Sequence, residues 1–318
     1  MTRGLLSRLA ELLYWTGRYV ERADDTSRII DAYIHRIAED PFGDPDAACH
    51  TLFATLGMEV DKKTSVNQET VLNRLVFDQT NPSSITGALL AAHENARQAR
   101  EVISSEMWIC LNATRNDLAG QRSKAARVGP ASYLHFVRER SALFAGLTDA
   151  TISHDETWWY LVLGRSLERI DMTARLLESR LLAEEYSPDW LTLLRAAGAM
   201  ESYLRVSTGG SDPQAIAAFL LLDRSFPRSA FHSLNVADNC LAELTSVGGQ
   251  STAVNQTRRT IRIAQTRLEY SDPNTVLNEL VEILEMLEQT SALANDQITS
   301  YFFRQVVSKP WEIEAAYE

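Results

Sequence analysis

A seventeen-residue pattern occurs twice in this chain, and it limits the available folds more than any other feature. Residues Tyr14 to Ile30 read YWTGRYVERADDTSRII, and Leu161 to Leu177 read LVLGRSLERIDMTARLL. Gly17, Arg18, Glu21, Arg22, Asp24, Thr26 and Arg28 return as Gly164, Arg165, Glu168, Arg169, Asp171, Thr173 and Arg175, each 147 positions later. A second match aligns LVFDQTNPSSI with LLLDRSFPRSA, placing Asp78, Pro82 and Ser84 opposite Asp223, Pro227 and Ser229 at an offset of 145. The expectation is an all-α, internally duplicated helical bundle. Its two pseudo-symmetric halves, 1–147 and 148–318, would each open with a long helix bearing the Glu-Arg pair and pack together as one globular unit.

Periodicity supports helices throughout. Leu5, Leu9, Leu12, Thr16, Tyr19, Ala23, Thr26, Ile30, Tyr33 and Ile37 step alternately by four and three, which predicts one buried helix face from about Leu5 to Ile37. Arg18, Glu21, Asp24, Asp25 and Arg28 fall on the other side. Shorter helices are expected at Asp46–Leu56 and Glu69–Phe77. Asn81 followed by Pro82 predicts a capped start for a long helix reaching about Leu111. Asn116–Gly129 reads as a polar loop, and Ala131–Leu147 as a further helix. The second part is expected to repeat the plan: a helix at His154–Ala183, another from Ser187 and Pro188 to Leu204, and a capped start at Asp212 and Pro213. Helices at 230–244, 252–268 and 273–303 would follow. No strand-like alternation of any length occurs.

The totals restrict function. A net charge of −11 disfavours a general nucleic-acid binder, which needs a basic field. Cys49, Cys110 and Cys240 are odd in number, far apart and outside any Cys/His cluster, so neither a disulfide framework nor a zinc site is indicated. No apolar run approaches the ~18 residues of a membrane span, and a cytoplasmic, membrane-free protein is expected.

The repeated charged residues admit three readings. Arg18 with Glu21, and Arg165 with Glu168, are three apart and can pair along one helix; Asp24 with Arg28, and Asp171 with Arg175, are spaced four apart. Such pairs are often plain surface salt bridges of small value. Apolar Leu161 and Met172 nevertheless share that face, which suggests that something covers it. A buried ionic network joining the halves is one candidate. A site in which paired guanidinium forks hold an anionic ligand or a partner is the other. Gly17 and Gly164, immediately before Arg18 and Arg165, permit another helix or a ligand to come close.

Catalytic signatures fail. GxGxxG, GxxxxGK[ST], HExxH and GxSxG are absent, and no His stands three residues after a Glu as di-iron bundles require. His154, Asp155 and Glu156 read as a helix start rather than a metal site. No metal or cofactor is expected, and the sequence assigns no catalytic residue. Trp158, Trp159 and Tyr160, like Tyr301, Phe302 and Phe303, read mainly as packing residues, and they are also compatible with a homo-oligomer. The segment Lys309–Glu318 reads as an acidic tail carrying Trp311.

LLSRLAELLYWTGRYVERADDTSRIID, FDQTNPSSI, AHENARQAREVISSEMWICLN and LLLDRSFPRSAFHSL, in that order, resemble the bacterial alpha-E family, an alpha-helical domain with a Glu-Arg motif. The resemblance covers essentially the whole chain. It implies a role beside a circularly permuted ATP-grasp protein resembling amide or peptide ligases, often with a transglutaminase-like protein and sometimes a proteasome-like peptidase. It supplies no catalytic residues. It marks Glu21, Arg22, Glu168 and Arg169, with Asp78, Asn81, Pro82, Ser84, Asp223, Pro227, Arg228 and Ser229 as candidates for a shared surface. The leading expectation is a non-catalytic helical partner that binds or activates the ligase in peptide synthesis or modification. The alternative is an independent enzyme or small-molecule binder using Arg18, Glu21, Arg22, Arg28, Arg165, Glu168, Arg169 and Arg175 for an anionic or amino-acid ligand.

Overall fold

The computed structural model describes residues 5–39, 43–58, 60–61, 64–181, 188–207, 210–248 and 252–303. Thirteen α-helices and no strand occur among them. The expected tail with Trp311, and Ser187 at the expected helix start, lie outside the described residues.

The first helix, α1, spans Ser7–Glu39 and is the axis of the molecule. It packs against α4 (Ile85–Gln98), α6 (Ala131–Thr151), α7 (Glu156–Glu178) and α8 (Trp190–Ala196), so neighbours surround it. Tyr14, Ala23, Ile30 and Tyr33 are fully buried, as the apolar spacing requires. Burying each large apolar side chain of this kind contributes about 1.5–3 kcal/mol. The charged side is buried too, as the ionic-network reading allows: Arg18, Glu21, Asp24 and Asp25 are all covered. A stripe of apolar residues identifies one buried face, and it is silent about a second face covered through charge pairing.

Between α1 and α4 lie α2 (Pro45–Thr55), capped by Asp44, and α3 (Gln68–Val71), which runs into a π-helical turn at Leu72–Val76. Asn81 does not cap α4. Its Oδ1 accepts Ser83 N at 2.9 Å within the turn, and Ser84 is the cap, accepting Gly87 N at 3.0 Å. The helix expected to reach Leu111 is broken, because Ser104 caps a new helix, α5 (Ser105–Val128). That helix runs through Asn116–Gly129, the expected loop. Its buried residues there are only Leu118 and Ala125, too sparse in large apolar groups to read as helical. Because α6 continues to Thr151, the sequence boundary at 147 falls inside a helix, and the connection to α7 is residues 152–155.

The later helices follow the spacing more closely. The segment expected to be one helix ending at Leu204 is two, α8 and α9 (Met200–Val206), with Asp189 as the first cap. Asp212 and Pro213 do start α10 (Pro213–Leu222). After it come α11 (Ala230–Gly248), α12 (Thr252–Glu269) and α13 (Leu280–Ile298), the last flanked by short 3-10 and π turns. No described helix is long and apolar enough to cross a membrane.

Candidate functional site

The two copies of the Glu-Arg pattern lie on α1 and α7, and the helices cross at their glycines. A Cβ on Gly17 would collide with the Leu161 carbonyl oxygen, and one on Gly164 with that of Tyr14. Only hydrogen fits at either position. This close approach brings the following charged residues within reach of the opposite helix, where they exchange partners.

Glu168 is completely buried. It accepts Arg18 Nε at 2.6 Å, Arg22 Nε at 2.5 Å and Arg22 Nη2 at 3.0 Å. Arg18 also donates to Asn295 Oδ1 of α13 at 2.9 Å and lies 5.4 Å from the Trp15 ring centroid. Tyr14 Oη donates to the same Asn295 oxygen at 2.8 Å. Burial opposes the charge on Glu168, but Arg18 and Arg22 overcome it and hold the carboxyl below its ordinary pKa.

On the other side of the crossing, Glu21 accepts Arg169 Nε at 2.6 Å and Arg169 Nη2 at 3.2 Å. Arg228, just before α11, adds an ion contact to Glu21 at 2.8 Å and reaches Asp24 and Asp25 as well. Against its burial, Arg169 and Arg228 hold the Glu21 carboxyl down at about 2. Asp25 behaves oppositely. Burial, reinforced by the neighbouring Glu21 and Asp24 carboxylates and only partly offset by Arg228, pushes its carboxyl up to about 8. Asp24 Oδ1 and Asp25 Oδ2 are buried without a hydrogen-bond partner. A cavity of about 20 Å³ lined by Asp25, Thr173, Arg169 and Arg228 lies alongside, with room for about one water.

Within-helix pairing therefore occurs only in part. Arg28 with Asp24 (3.1 Å) and Arg175 with Asp171 (3.0 Å) keep the spacing of four. The expected Arg18–Glu21 and Arg165–Glu168 pairs do not form, because each carboxylate faces the opposing helix. Glu21, Asp24 and Asp25 are close enough to share an ion. Arg228 sits among them and supplies the countercharge.

Of the candidates for a shared surface, Pro82 and Pro227 are exposed and Asp78, Asn81, Asp223 and Arg228 half-buried. Ser84 and Ser229 are fully buried. Each donates to the carbonyl of Asp78 or Asp223 and accepts a helix N–H, from Gly87 and His232 respectively, at 3.0 Å. Asp78 and Asp223 organise the turns by accepting Thr80 N and Ser225 N, both at 2.8 Å. Only Arg228 of that group joins the ionic cluster. Asn295 had no sequence signal. Arg228 and Asp25 had one: the matching positions are Ser83 in the first half and Met172 in the second, so the equivalent acid–base pair is missing from the Glu168 side.

Trp158, Trp159 and Tyr160 are used in packing. Trp158 stacks on His154 with centroids 4.3 Å apart, Trp159 Nε1 donates to His154 O at 2.7 Å, and Tyr160 packs on Phe302.

Fold and site together define an all-helical protein organised around a buried arginine–carboxylate crossing. The Alpha-E family, described as a predicted alpha-helical domain with a conserved ER motif, matches residues 5–303, and the chain belongs to it. Similar proteins include uncharacterized proteins of Mycobacterium tuberculosis strains CDC 1551 and H37Rv and of Mycobacterium bovis. Each is 22% identical over an alignment 293 residues long that covers 84% of this chain and 32% of the relative. The chain thus spans about a third of the length of these relatives. No solved structure matches it.

Proposed function

We propose that this chain is a non-catalytic helical partner of a circularly permuted ATP-grasp amide or peptide ligase, binding or activating it in peptide synthesis or modification. The observation that carries this reading is the embedding of the same unit in relatives about three times as long, where it is one part of a larger chain. The buried crossing supports it. Arg18, Arg22 and Arg169 are committed to Glu168 and Glu21, which favours a scaffold over a ligand site built from these paired residues. A transglutaminase-like protein and a proteasome-like peptidase are further expected partners. We also read the chain as two copies of one plan, on the strength of the repeated sequence, the paired glycine contacts and the exchanged Glu-Arg bonds.

The test is co-purification with the ATP-grasp protein encoded beside it, followed by ATP hydrolysis with and without this chain. A stable complex with altered turnover is expected. If the two neither associate nor affect each other's activity, the partner reading fails.

A further inference from the structure

Arg18 and Arg165 hold matching places on α1 and α7, each directly after the glycine of the crossing, yet their surroundings differ. Arg18 has Glu168, Asn295 and Tyr14 as acceptors. Arg165 donates no hydrogen bond to any described residue. Its one ion contact is long, 3.7 Å to Asp149, and that exposed carboxylate already accepts Trp158 Nε1 at 3.0 Å. The Arg165 side chain is nonetheless only 18% exposed. Burial, helped by neighbouring Arg169, depresses its pKa, a sign of a cation short of countercharge. A guanidinium carries five donors and stays charged at any pH a protein meets. Leaving those donors unused below the surface is costly unless something accepts from them.

Beside Arg165, a cavity of about 20 Å³ is bounded by α1, α6 and α7 and lined by Gly17, Glu21, Ser141, Ala145 and Thr148. Gly17 and Ala145 leave the space open by having little side chain. Ser141 Oγ makes only a 3.5 Å contact to Val20 O, so its hydroxyl is available to turn. The rest of the lining, Val20, Phe144, Leu161 and Val162, is apolar, and the volume admits little more than the end of one small group. Glu21 is already held by Arg169 and Arg228, but its charge still disfavours a dianion such as phosphate. A carboxylate matches the guanidinium fork in shape and brings a single charge.

We propose that this cavity binds one carboxylate group, from a small free acid or from an acidic peptide, through hydrogen bonds donated by the Arg165 guanidinium. The residue that does this is the arginine left out of the exchanged pairs. The inference does not depend on the partner reading, since the chain alone tests it.

The full chain is titrated with sodium acetate, and separately with N-acetyl-Ala-Glu-Ala-amide, whose only carboxylate is on the side chain. The readout is the NMR shift of the Arg165 Nε–Hε resonance, assigned by its loss in Arg165→Lys. A saturable shift is expected. Ala145→Leu, which fills the cavity and keeps the Arg165 charge, is expected to weaken binding about ten-fold or more. Tighter binding of acetate identifies a free acid as the source, and tighter binding of the peptide identifies a protein segment; either supports the carboxylate site. The absence of a saturable shift with both probes up to about 100 mM overturns it. So does wild-type affinity in a folded Ala145→Leu protein. Should that variant not fold, the wild-type titration decides alone.

Discussion

The two sides of the α1–α7 crossing use the same residue types and reach different electrostatic solutions. Around Glu168, one carboxylate serves two arginines, and Asn295 and Tyr14 complete the set. Around Glu21, three carboxylates gather about Arg228, Arg169 and Arg28, and two buried carboxylate oxygens remain without partners. The difference traces to two positions: Asp25 and Arg228 stand at the Glu21 side, and their equivalents at the Glu168 side are Met172 of the second half and Ser83 of the first. Adding an acid and a base to a closed buried pair keeps the formal charge unchanged. It does not keep the hydrogen bonding complete, and the surplus acid becomes a group that holds its proton near neutrality. Structure-forming charge is therefore concentrated at Glu168, and adjustable charge at Glu21.

The sharpest way to break this contrast is Glu168→Ala, which strands Arg18 and Arg22 against a buried hole. A loss of about 3–5 kcal/mol is expected in denaturant unfolding at pH 7. Gly17→Ala and Gly164→Ala should each lose about 1–3 kcal/mol or more, because the backbone contact is equally close on the two sides. A marked inequality between them would show that the helices are free to separate on one side. Glu21→Gln should cost less than Glu168→Ala, about 1–3 kcal/mol, since Arg228 retains Asp24 and Asp25. The same substitution removes one neighbouring negative charge, so the Asp25 titration followed by carboxyl NMR should move to lower pH.

The effect confined to one pH window is the most specific. Asp25 has a folded pKa of about 8 against an ordinary 3.8, so the native state binds a proton that the unfolded chain releases. Its contribution is fully present below about 3.8 and is lost as pH rises toward 8. Glu21, held at about 2, works in the other direction: its contribution is present above its ordinary 4.5 and is lost as pH falls toward 2. Asp25→Asn should therefore flatten the stability profile between about pH 4 and 8 and leave the acid limb set by Glu21 unchanged. An unaltered slope in chemical unfolding across that window would mean that Asp25 is ionised in the folded protein.

The helices were legible in proportion to the size of their buried side chains. The four-three stripe of α1 marked its extent closely, whereas beyond Asn116 the buried residues of α5 are only Leu118 and Ala125, and that stretch passed for a loop. The breaks at Ser84 and Ser104 come from single hydroxyl caps, which compete poorly for notice against Asn81-Pro82. The charged residues of the crossing were all visible as a repeat. Their pairing was not, because spacing along one helix cannot reveal which carboxylate a second helix presents. The role of Arg228 was written in the comparison of the copies, and that of Asn295 was written nowhere.

The exchange of partners also bears on what a cut in the chain would do. Every arginine–glutamate bond of the crossing joins a residue before position 152 to one after it. A nick in the connection at residues 152–155 spares all of these bonds, while separating the two pieces removes them at once. The nicked protein is thus expected to persist as an obligate heterodimer of fragments. Its reassembly from the separated pieces should be bimolecular, with a rate that rises with fragment concentration.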